Sequence, residues 1–84
     1  MDGFEVRPVA EGQWTVHTPA GAQHRVLIPA GVGVPGAEDG DVAAALVVEL
    51  LARGSVLPEV LDASQALVRE PGLLAAVTAR IEGG

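Results

Sequence analysis

Twelve consecutive residues, Val42 to Arg53, contain neither Gly nor Pro, and ten of them are Ala, Val or Leu. A run of this length makes about three helical turns, and its apolar side chains go nearly all round the axis. Glu49 and Arg53, four apart, mark the one polar edge. A helix without a polar side has to be covered on every side. The rest of an 84-residue chain must therefore wrap this element or share it with a partner. Asp39 or Asp41 is placed to cap its start, and Gly54 stands where a left-handed residue ends a helix.

The residues before it read as strands. Phe4-Glu5-Val6-Arg7 and Trp14-Thr15-Val16-His17 alternate in character, and His24-Arg25-Val26-Leu27-Ile28 ends at Pro29. Ala10-Glu11-Gly12-Gln13 supplies the first turn. In the second, Pro19-Ala20-Gly21 suits a type I turn closed by a left-handed residue, because Pro sets φ at its first position and Gly tolerates positive φ at its third. That loop puts Thr18 opposite Ala22, Val16 opposite His24 and Trp14 opposite Val26. Trp14, Val16, Val26 and Ile28 then share one face, with Thr15, His17, Gln23 and Arg25 on the other.

After the long helix, Ser55 to Leu61 reads as a linker with a helical turn starting at Pro58. Asp62-Ala63-Ser64-Gln65 has the form of a capping box before a short second helix. Glu70-Pro71-Gly72 interrupts it and opens a third, whose face is Leu73, Leu74, Val77 and Ile81. The expected fold class is α+β: a three-stranded antiparallel sheet (β-β-β) followed by two to three helices packed on one face. Residues 1–84 form one domain on this reading, with a β-hairpin meander over 1–29, a Gly/Pro-rich acidic loop over 30–41 and a helical part over 42–82.

Composition removes several function classes. Hydrophobic residues are 49% of the chain and charged ones 19%, the reverse of a disordered segment. Eleven acids stand against five Arg and no Lys, a net charge of −6, so nucleic acid and anionic membranes are poor partners. The exception is a fold that brings Arg7 and Arg25 onto one face. Without Cys there is no disulfide, thiolate nucleophile or thiolate metal site. Residues 1–25 carry Asp2, Glu5, Arg7 and Glu11 and lack the apolar stretch of a secretory signal, so the expected location is the cytoplasm. The uncharged run Val26 to Ala37 holds two Pro and three Gly and falls short of a membrane span.

Motifs that could carry chemistry are weak for physical reasons. Gly31-Val32-Gly33-Val34-Pro35-Gly36 matches the dinucleotide pattern, but Pro35 removes a donor and Glu38, Asp39 and Asp41 place negative charge where phosphate would sit. His17 and His24 point to opposite faces of the hairpin and cannot share a metal within one chain. Glu38-Asp39-Gly40-Asp41 lacks the spacing of a calcium loop and suits a helix N-terminus instead. Ser55, Ser64, Thr15, Thr18 and Thr78 show no nucleophile motif. No catalytic residue, metal or cofactor is expected.

Phe4-Glu5-Val6, Trp14-Thr15-Val16, His24-Arg25-Val26-Leu27-Ile28-Pro29 and Asp39-Gly40-Asp41-Val42 together resemble a group of short uncharacterised actinobacterial proteins. The resemblance covers roughly half the chain and implies no activity. In topology alone, three strands followed by three helices resembles the small recognition domains that bind leader peptides of ribosomal peptide natural products. That likeness implies a peptide adding a strand to a sheet edge beside a helix. The Asn/Asp-x-Thr-Gly turn and Ile-Trp helix start of those domains are missing here.

The function expected from these observations is a small acidic, non-enzymatic protein-interaction module, a homodimer or the small subunit or adaptor of a larger complex. Its interface is expected on Val42, Leu46 and Leu50 of the apolar helix or at a sheet edge, with Trp14 as the one side chain large enough to anchor it. Trp14 alternates in phase with Val16, which equally suits a core residue. A leader-peptide binder and a small antitoxin or transcription regulator are the rival readings.

Overall fold

In the computed structural model, which describes residues 3–83, the elements are β1 (Glu5–Ala10), β2 (Gln13–His17), β3 (Gln23–Leu27), α1 (Asp39–Ala52), β4 (Val60–Asp62), α2 (Ala63–Arg69) and α3 (Leu73–Gly83). The β2–β3 hairpin has the register its turn dictates: Trp14 opposes Val26, Val16 opposes His24 and His17 opposes Gln23. Gly21 closes the turn at φ +88°, its amide donating to the Thr18 carbonyl at 3.0 Å. Val16, Val26 and Ile28 are buried on the covered face.

The sheet is α+β in setting but differs from three antiparallel strands. It has four strands in the order β1-β2-β3-β4, and β4 runs parallel to β3. Residues 60–62, expected in a linker, are drawn into the sheet because the Arg25 amide donates to the Glu59 carbonyl at 2.9 Å. No helical turn starts at Pro58; the chain there is extended, and the Pro58 carbonyl is bonded to the His24 ring at Nδ1, 2.8 Å away.

α1 is longer than expected at its start, and its cap is different. Glu38 holds the cap position in extended conformation without a side-chain bond, while Asp39 and Asp41 lie in the first turn, beside the positive end of the helix dipole. The far end matches the expectation. Gly54 donates to the Leu51 carbonyl and Ser55 to the Leu50 carbonyl, each at 3.0 Å, which is the Schellman arrangement. Residues 42–47 are buried without interruption, whereas Leu51, 42% exposed, and Ala52 leave the last turn uncovered, so the expected burial on every side holds only for the first part of the helix. α1 meets β1 and β2 on one side and α3 on the other. The helix is therefore the central layer, with Leu73 and Val77 of α3 completing the core.

Polar contacts join α1 to α3 and to the end of α2. Glu49 of α1 accepts from Arg80 of α3 at 2.7 Å, and Arg53 lies 3.7 Å from Glu70. The expected polar edge of α1 thus faces other elements instead of pairing with itself. At α2 the Asp62 cap is present, but it is not a reciprocal box: its Oδ1 accepts from the Ser64 amide at 2.9 Å and the Ser64 hydroxyl at 2.6 Å. These bonds, the hydroxyl's first, hold the Asp62 carboxyl below its ordinary range against a smaller desolvation effect.

Candidate functional site

The structure places the residues expected at an interface inside the chain. Val42, Leu46 and Leu50 are 3%, 1% and 4% exposed and belong to the hydrophobic core. Burial of each is worth about 1.5–3 kcal/mol, so presenting them to a partner would cost the fold its centre. Trp14 is partly buried against the same core. Its six-membered ring lies over Gly40, where an added Cβ would come 3.1 Å from Cζ3. Its Nε1 is buried with no acceptor among the described residues.

Among the described residues β1 and β4 are the edge strands of the sheet, and their hydrogen-bond parity differs. Thr18 donates to the Ala22 carbonyl at 2.9 Å and Ile28 to the Gly12 carbonyl at 2.7 Å. Bonding direction alternates along an antiparallel strand. Even-numbered residues of β2 therefore aim their backbone at β3, and Thr15 and His17 aim theirs at Arg7 and Glu5 of β1. Val6 and Pro8 are left pointing to the outer edge of β1. Proline has no N–H, and the pairing shifts between Pro8 and Ala10, so this edge is interrupted as a template.

Within β4 itself there is neither proline nor bulge, and Pro58, which lacks an N–H, stands two residues before Val60. In a parallel ladder a residue faces its neighbour with both backbone groups or with neither. The bond from Arg25 to the Glu59 carbonyl means that Val60, opposite Arg25, turns its N–H and C=O outward. Beside this edge, Leu50, Leu57, Leu61 and Ala66 line a groove of about 190 Å³ between residues 56–62 and α2. Val56 is 96% exposed and Val60 52%, and both border the groove. Its charged rim is Asp62, Glu70 and Arg69.

Elsewhere the surface is less suited to a ligand. A wider hollow between α1 and α3, about 780 Å³, is lined by Ala76, Ala79 and the mutually paired Glu49 and Arg80. On the uncovered sheet face Arg7, Thr15 and Arg25 form one cross-strand row, so the two arginines do share a face. Glu5 lies 3.7 Å from Arg7, and Glu59 borders the hollow at Arg25, which offsets their charge. His17 lies on this face and His24 on the covered one, as expected. Among the described residues no three of His, Asp and Glu are grouped to hold a metal. The Gly31–Gly36 loop ends before the helix, which begins at Asp39, and Val34 is buried in the core. No helix among the described residues is long and apolar enough to cross a membrane.

Sequence reasoning missed Val56, Val60 and Arg69. The available signal was Pro58, which biases Leu57 to extended backbone, followed by the pair Val60-Leu61. Compared with known proteins, the chain matches no family model, no curated protein and no solved structure.

Proposed function

We propose that the chain is a small non-enzymatic interaction module that takes an extended segment of a partner protein along the outer edge of β4. The observation that carries this reading is the outward-facing backbone of Val60 above an aliphatic groove, on a strand that itself contains no proline. An added strand gains main-chain hydrogen bonds from the edge and selectivity from the groove. The β1 edge, with Pro8 facing outward, offers a poorer template.

A fluorescein-labelled peptide alternating Thr and Val tests the proposal by fluorescence anisotropy. Saturable binding is expected, weakened about tenfold or more by Val56→Asp, which puts a charge at a rim position that is solvent-exposed in the free chain. Absence of binding, or binding indifferent to Val56→Asp, overturns it. A homodimer is the same reading with a second copy as partner, and appears as a concentration-dependent mass in sedimentation that Val56→Asp removes. Leader-peptide recognition is its narrower form, favoured by the position of the β4 edge beside α2. The strand inserted between the first and second helices departs from that topology.

A further inference from the structure

The groove also constrains the chemistry of the segment that fills it. Leu61 opposes Val26 and so faces the covered side, where Leu57 and Ala66 lie with it in the groove; Val60 opposes Arg25 on the uncovered side. An incoming strand presents alternate residues to the groove and the rest to solvent. Three charged side chains border the groove, and the two carboxylates already have partners, which for Asp62 are neutral and leave its charge in place. Asp62 accepts from Ser64, and Glu70 lies 3.7 Å from Arg53 and accepts from the Ser55 hydroxyl at 3.4 Å. Arg69 is exposed and forms no ion pair among the described residues.

Resting on the docking proposed above, we infer that the partner segment carries an aliphatic residue and, two positions along the strand, a carboxylate that meets Arg69. The net charge of −6 by itself favours a basic partner. Screening limits that preference to a Debye length of about 8 Å in physiological salt, whereas a carboxylate at Arg69 is in contact and is screened much less. Local charge therefore decides the residue at this position, and the net charge affects chiefly the rate of encounter.

The test is an array of Thr-rich peptides with Val at one position and Glu, Gln or Lys two residues further on, probed with the whole chain and with Arg69→Glu. Arg69 is on the surface, so the variant keeps the fold, and circular dichroism checks this. The wild-type chain is expected to prefer Glu over Gln by about threefold or more, with Lys weakest. Arg69→Glu is expected to reverse the order in favour of Lys. Equal binding of all three peptides, lost in Val56→Asp, overturns the carboxylate while leaving the docking edge in place. Preference for Lys by the wild-type chain overturns it as well. If none of the peptides binds, the docking reading itself falls, and the inference with it.

Discussion

The amide of Arg25 donates to the carbonyl of Glu59 at 2.9 Å, and this bond sets which backbone groups of β4 remain free. It joins the third strand to a segment beyond the central helix. By ladder parity it also leaves Val60 with its N–H and C=O outward. A parallel pairing of three residues thus closes one side of β3 and opens a new edge beside α2.

That parity is visible in amide hydrogen exchange. The Arg25 amide is expected to be protected close to the level of global unfolding, while the Val60 amide exchanges with little protection. A protected Val60 amide beside a protected Arg25 amide would mean that β4 is shifted by one residue and that its free edge presents Leu61.

Leu46 separates a core role from an interface role. Leu46→Ala is expected to cost about 2–5 kcal/mol in denaturant unfolding, because the site is closed by the sheet below and α3 above. Leu46→Asp is expected to unfold the chain outright. A folded Leu46→Asp variant with altered association would return the interface to α1.

The Asp62 carboxylate gives the fold an acid-side dependence of known sign. Its folded pKa lies below the unfolded value, chiefly through the Ser64 hydroxyl, so its contribution is complete above the ordinary carboxylate range and is lost as pH falls through the depressed value. Thermal melts from about pH 5 downward should show a smaller loss for Ser64→Ala than for the wild-type chain. An equal or larger loss in the variant would assign the acid sensitivity to other carboxylates.

Pro8 keeps the β1 edge from pairing. Pro8→Thr restores an outward N–H on a strand that already has Val6 in the same phase, and light scattering is expected to show association that grows with concentration. If the variant scatters as the wild-type chain does, the bulge beside Pro8 is sufficient protection by itself.

Much of the hairpin was legible in the sequence because a period-two pattern and a Pro-Ala-Gly turn independently specify one register. The central helix was legible too, since no other element accommodates ten aliphatic residues in twelve. The pattern specifies burial of its first three turns but not what covers them: an all-apolar helix looks the same whether α3 or a partner closes it, so sequence alone puts Val42, Leu46 and Leu50 at an interface as readily as in the core. β4 left almost no trace. It is three residues long, and its segment is held by groups such as His24 and Pro58, which are 34 positions apart. A pairing of that separation has no local period, and the groove exists only once it forms. Arg69 carries no signal in the sequence, because its meaning lies in the partners that Asp62 and Glu70 find around it.

The proposed addition of an extended segment to β4 is tested most directly by titrating the ¹⁵N-labelled chain with the alternating Thr–Val peptide. Chemical-shift changes are expected to concentrate in residues 56–62 and along α2, with the Val60 amide becoming protected from exchange on binding. Changes centred on β1 or on the hollow between α1 and α3, or a Val60 amide that stays unprotected at saturation, would rule out docking at β4.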